Sequence, residues 1–197
     1  MSRVTGASAL LGNIVRHRIA FVGPFGVGKT TALRAVSDIP VVNTDVWTRE
    51  RVEGDTGKSH TTVGFDYGEW QFSDGLRVAL CGLPGQERFE AVWDAMLPQS
   101  SGVILWLFGD RPQAVAEMCR WLDVIALRTP LTRLAVAVTR LPPDHDDALL
   151  DPFRDRLADY HPLAPVLTAD PRKPGDVRQT IAVALATPAA PMQTLDR

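Results

Sequence analysis

The chain has 197 residues, 45% of them hydrophobic, which suits one domain on a prior of roughly 100–200 residues each and a composition ordinary for a globular protein. Its 21 Lys and Arg stand against 23 Asp and Glu, a net charge of -2, so the basic excess that holds nucleic acid or an anionic membrane surface is absent. The longest apolar run, residues 103–108, falls far short of the ~20 residues of a membrane span. With neither a secretory-signal pattern nor a prenylation box at the ends, the expectation is a soluble, cytoplasmic protein.

In chain order, short β-rich runs alternate with helical stretches, the pattern of one α/β domain. Residues 1–17 lack periodicity and are expected to be loosely held. Residues 18–23 read as a buried strand and residues 29–38 as a helix ended by Pro40. Residues 41–60 are polar and rich in Gly, Asp and Thr, which reads as a long loop placed where a conformational switch would sit. Residues 61–72 and 76–81 read as a hairpin joined by Ser73, Asp74 and Gly75. Val63, Phe65 and Tyr67 share one parity while Trp70 and Phe72 take the other, so a bulge or twist is expected near Gly68.

Further along, Phe89, Val92, Trp93, Met96 and Leu97 recur at helical spacing before Pro98. Residues 103–108 read as a fully buried central strand. Pro112 then opens a helix with Val115, Met118, Cys119, Leu122 and Ile125 on one face, and residues 134–138 form another core strand. A helix over 147–160, a short strand at 166–167 and a closing helix over 176–186 complete the domain, taken as residues 18–187, and residues 188–197 read as a tail. The two cysteines, Cys81 and Cys119, sit in apolar segments without paired metal spacing and read as core residues.

One segment carries chemistry on its own. Residues 23–30, Gly-Pro-Phe-Gly-Val-Gly-Lys-Thr, match G-x-x-x-x-G-K-[ST] at every defined position, directly after a strand and before a helix. Such a loop converges backbone N–H groups on phosphate oxygens and adds the partial positive charge of a helix N-terminus. Gly23, Gly26, Val27, Gly28, Lys29, Thr30 and Thr31 are therefore expected to contact a nucleotide. Lys29 would reach the β- and γ-phosphates and Thr30 would ligate Mg²⁺.

Downstream lie Thr61-Thr62-Val63-Gly64-Phe65-Asp66 and then Gly82-Leu83-Pro84-Gly85-Gln86-Glu87-Arg88-Phe89. With the phosphate loop, these motifs make the chain resemble the Ras-like small GTPases over residues 18–187. The likeness is to the prokaryotic branch that includes the bacterial polarity, gliding-motility and conservon-type GTPases. That resemblance implies a P-loop NTPase fold of the small-GTPase kind: a mostly parallel sheet of about six strands, one antiparallel hairpin strand, and helices on both faces. It also implies GTP and GDP as ligands, Mg²⁺ as cofactor, and slow GTP hydrolysis that works a molecular switch. Thr62 would complete the metal shell, Gly85 would donate its N–H to the γ-phosphate, and Gln86 would orient the attacking water. The implied partners are a protein effector or activator at the switch regions, such as a roadblock-type protein. Tyr67, Trp70, Phe72, Phe89 and Trp93 offer aromatic anchors there, with Phe89 and Trp93 reading first as core.

Three departures qualify the likeness. Gly82 stands where the family has a metal-facing Asp, so either Mg²⁺ binds more weakly or another acid such as Asp45 or Asp66 compensates. Residues 139–142, Thr-Arg-Leu-Pro, replace the guanine-reading Asn-Lys-x-Asp. Thr139, Arg140 and Ala169 remain as base contacts, Ala169 by a backbone donor, and Asp144 could return an acceptor only past two prolines. Phe25 either narrows access to the γ-phosphate or folds back onto apolar neighbours. A nucleotide-binding scaffold with relaxed or lost guanine specificity is the alternative to a working GTPase.

Overall fold

The computed structural model describes residues 15–49, 60–73 and 76–186. The expectations for residues 1–14 and 187–197, for the Asp74-Gly75 turn and for the centre of the 41–60 segment lie outside the described residues.

Seven strands form one sheet: β1 (Val15–Val22), β2 (Val42–Arg49), β3 (His60–Ser73), β4 (Leu76–Gly82), β5 (Gly102–Phe108), β6 (Leu134–Thr139) and β7 (Val166–Thr168). Their order is β2-β3-β4-β1-β5-β6-β7. Strand β3 is antiparallel to both its neighbours, and the pairings from β4 through β7 are parallel. Five α-helices cover the two faces: α1 (Lys29–Val36), α2 (Glu90–Met96), α3 (Ala114–Ala126), α4 (Asp151–Ala158) and α5 (Pro174–Ala186). The helix expected over 147–160 is α4 with a 3-10 turn (Asp147–Leu150) leading into it, and Asp146 caps that turn through the Ala148 N–H.

Period-2 alternation sorts the strand side chains into two cores. Leu105 and Leu107 of β5 pack with Val92 and Trp93 of α2, Met118 and Leu122 of α3, and Phe153 of α4. Trp106 and Phe108 of the same strand pack with Leu33 of α1 and Val177 and Ile181 of α5. On β6 the second face carries only Ala135 and Ala137, which lets α5 approach closely. Cys81 is buried and unpaired as expected, and burial pushes its thiol up to about 11.

Two expectations are corrected. The segment from residue 41 is a strand at its start, not a loop: β2 pairs Val42–Arg49 with β3 in continuous antiparallel register. An edge strand with so many polar side chains gives no apolar alternation to read. The second correction concerns Gly68, where the ladder with β4 is unbroken from Asp66 to Gln71 and shifts only between Gln71 and Ser73. The change of parity arises because both faces of β3 are covered, Phe65 and Tyr67 by one core and Trp70 and Phe72 by the other. Gly68 answers to packing: a Cβ there would lie 2.7 Å from Ser37 Oγ.

β1 has β4 on one side and β5 on the other, so the chain winds outward in both directions from it. In open α/β sheets ligands bind at the carboxyl ends of strands beside such a switch point. The segment that follows β1 is the glycine-rich loop.

Candidate functional site

Gly23, Gly26 and Gly28 all have positive φ, at 128°, 79° and 114°, values that L side chains rarely adopt. Gly28 caps α1 without any side-chain hydrogen bond, so the first-turn amides keep their donors directed out of the helix. Val27 is buried beneath the loop. Lys29 is 9% exposed, and its Nζ donates to the carbonyls of Gly23 at 2.7 Å and Pro24 at 2.8 Å. Burial lowers the amine to about 8 against a smaller opposing effect of Asp66.

A cavity of about 400 Å³ opens over this loop, lined by Phe25, Gly26, Gly28, Lys29, Thr30, Thr31, Asn43, Gly64, Asp66, residues 82–86, Arg88 and Phe89. Gly85 meets the phosphate loop backbone to backbone. A Cβ there would lie 2.5 Å from Gly23 O and from Phe25 N, so only glycine fits. Gln86 is extended and opens a 3-10 turn (Glu87–Phe89) at the cavity wall. The Trp93 indole donates to Pro84 O at 2.7 Å and ties this segment to α2. Phe25 does not fold back, being 72% exposed at the cavity rim.

Asp66 brings a carboxylate up beside Gly82. The two residues are paired in the β3–β4 register. A Cβ on Gly82 would lie 3.3 Å from Asp66 Cβ and 3.4 Å from its Oδ2. That oxygen accepts the hydrogen of Thr30 Oγ1. The acid thus enters the same space from the neighbouring strand. Asp45, the other candidate, stands opposite Gly64 in the β2–β3 ladder, and its side chain lies outside the described residues.

Thr62 is placed less directly. Its backbone is paired with Trp47, four residues along β3 from Asp66, a separation of roughly 13 Å at ~3.3 Å per residue. Its side chain lies outside the described residues. Asn43 was missed by sequence reasoning, although its side chain lies over Gly64 and lines the cavity; only the β2 register brings it there.

A second cavity, of about 520 Å³, continues from Gly26, Gly28 and Thr31 to Thr139, Arg140, Leu141, His145, Thr168, Ala169 and Asp170. Arg140 has φ 63°, and its guanidinium lies 4.4 Å over the Phe108 ring. Asp144 is exposed and does not line this cleft. The expected free donor of Ala169 is corrected: its N–H is bonded to Val138 O at 3.0 Å, extending the β6–β7 ladder. Asp170 is clamped by Arg172 through Nε at 2.9 Å and a terminal nitrogen at 2.8 Å. That pair holds the Asp170 carboxyl down at about 2.

Of the aromatic side chains expected as anchors for a partner, four are half-buried against the cores and one is buried. Tyr67 and Phe89 pack on one core, Trp70 and Phe72 on the other, and Trp93 is buried. Among the described residues no helix is long and apolar enough to cross a membrane.

No family model matches the sequence, and no curated protein matches it. Solved structures do resemble it. A bacterial selenocysteine-specific elongation factor, EF-Sec, superposes with a TM-score of 0.59 at 17% identity over 87% of this chain and 29% of its own length. The cytosolic domain of the T. maritima FeoB iron transporter in its GMPPNP form gives 0.56 at 17% identity over 91% of this chain and 67% of its own. The chain therefore has the P-loop GTPase fold, and it spans less than a third of the elongation factor's length.

Proposed function

We propose that the chain is a GTPase-like molecular switch that binds a nucleoside triphosphate with Mg²⁺ and hydrolyses it slowly. One observation carries the reading: the positive-φ glycines Gly26 and Gly28, Lys29, Thr30, Asp66, Gly85 and Gln86 all meet at one cavity at the carboxyl end of β1. Backbone donors and a lysine suffice to hold phosphates, and phosphoryl transfer asks for positioning and charge stabilisation more than covalent help.

Among the described residues no three His, Cys, Asp or Glu side chains converge as a metal cage. Mg²⁺ is commonly held by one or two protein oxygens together with substrate phosphates, and the Thr30 hydroxyl beside the Asp66 carboxylate fits that demand. When bound there, the ion would neutralise charge on the phosphates. Lys29, in the same cavity lining, would oppose the same charge. Gln86, at the cavity wall, would orient the attacking water, and Phe25, exposed at the rim, would restrict entry. For the Thr62 hydroxyl to reach the metal, part of the β2–β3 ladder has to open, which supplies the two-state element of a switch.

GTP is the expected nucleotide on the resemblance, and a protein effector or activator, of which a roadblock-type protein is one form, is the expected partner. A second reading, a nucleotide-holding scaffold with relaxed guanine selectivity, is favoured by the second cavity, where the Ala169 donor is already bonded. A single-turnover assay separates the two readings. A switch enzyme releases phosphate from bound GTP in wild type and far more slowly in Gln86→Leu, whereas a scaffold shows equal, negligible rates in both.

A further inference from the structure

We infer that the base cleft does not select guanine and that the His145–Thr168 pair reads the base edge without preference between purines. The inference rests on the proposed nucleotide site and concerns what that site accepts.

Guanine presents donors at N1 and N2 and an acceptor at O6, so a guanine reader needs a free carboxylate and a free N–H. Of the carboxylates that line the cleft and the backbone N–H groups of residues 169–173, none is left without a partner. Across residues 169–173 every backbone donor is taken: Ala169 by Val138 O, Asp170 by Asp176 Oδ2, Arg172 by Asp170 Oδ1 and Lys173 by Asp170 O. Pro171 has none. Of the lining carboxylates, Asp170 is paired with Arg172, and Asp176 accepts from the Asp170 N–H. At the position of the missing acid stands Pro142, whose carbonyl receives both the backbone N–H of His145 at 3.1 Å and its ring Nδ1 at 2.9 Å.

That last contact fixes the imidazole. A carbonyl only accepts, so Nδ1 carries a hydrogen. In the neutral ring Nε2 then has a lone pair, and it lies 2.7 Å from Thr168 Oγ1. The Thr168 hydroxyl therefore donates its hydrogen to Nε2, and its oxygen turns lone pairs toward a ligand. It can thus accept from guanine N1–H or from the adenine N6 amino group, in each case with one neutral bond. The Arg140 side chain beside it offers a flat cationic face that any purine can stack on. Phosphate contacts, which are the same for both nucleotides, carry the rest.

Calorimetric titration of the nucleotide-stripped full chain tests this with Mg²⁺-GTP, Mg²⁺-ATP and Mg²⁺-tripolyphosphate. The expected result is that GTP and ATP bind within about thirtyfold of one another, and both more tightly than tripolyphosphate. Charge-assisted recognition by two bonds separates the bases by hundreds-fold or more, so a preference above about thirtyfold for either nucleotide overturns the inference. Nucleotides no tighter than tripolyphosphate overturn it too, since the cleft then reads no base. Failure of all three ligands removes the phosphate-site reading itself. His145→Ala is expected to weaken GTP and ATP by a similar factor; an unchanged affinity for both, or a loss confined to one, rejects the pair as the reader. Pro142→Asp restores a carboxylate and is expected to raise the GTP/ATP ratio at least tenfold. An unmoved ratio in that variant counts against the cleft as the place where bases are read.

Discussion

The two ends of the cleft are built on opposite principles. At the phosphate end, backbone donors are left unspent, on the positive-φ glycines and the first-turn amides without a side-chain cap, and Lys29, whose hydrogens go to two loop carbonyls, adds a charge that no carboxylate pairs directly. At the base end, donors and acceptors satisfy one another, through Ala169 with Val138, Asp170 with Arg172 and His145 with Thr168. Groups already paired contribute little to a ligand, because each new bond replaces an old one. Affinity in this molecule is therefore expected to reside in the phosphates.

The largest effect falls on Lys29. Lys29→Ala removes the charge facing the phosphates and is expected to weaken triphosphate binding at least a thousandfold, about 4 kcal/mol. Titration beside wild type measures it, and a loss under tenfold would transfer the site elsewhere. Gln86→Leu comes next, cutting single-turnover hydrolysis by roughly a hundredfold within the range of acid–base and water-positioning effects while leaving affinity within about threefold.

The pH profile gives an intermediate effect of fixed sign. The Lys29 amine is lowered to about 8 by burial, and bound phosphates favour its charged form. Affinity is expected to be level below pH 8 and to fall by up to about tenfold per unit above it, with proton uptake on binding near pH 8.5. The same shift makes the ligand-free fold more stable as pH rises from about 8 toward 10.5, since burial penalises the charge. A binding profile flat to pH 10 would mean that Lys29 does not face the phosphates. The smallest effect concerns Asp66. Asp66→Asn is expected to reduce the Mg²⁺ enhancement of GTP affinity about tenfold with metal-free binding unchanged, and the double change Asp66→Gly with Gly82→Asp to recover part of it.

Legibility in the sequence followed how local each feature is. The phosphate loop is one contiguous segment between a strand and a helix, so its motif, its glycine geometry and its place after β1 were all readable. Gly85 and Gln86 were readable through their own motif. The Asp66–Gly82 pairing depends on which residues face one another across β3 and β4, and cross-strand register leaves no mark in a single chain. Gly68 misled because the parity rule assumes one solvated face, whereas β3 is covered on both. His145 lies beyond the motif that normally reads the base, and only its contacts with Pro142 and Thr168 bring it into the cleft.

Backbone hydrogen exchange with and without Mg²⁺-GTP tests the contrast between the two ends most directly. The amides of residues 25–31 and of Gly85 and Gln86 are expected to slow strongly on binding, because their donors turn from water or weak partners to phosphate oxygens. Those of residues 169–173, already bonded within the fold, are expected to change little. Binding that protects residues 169–173 and leaves the phosphate loop untouched would contradict the account.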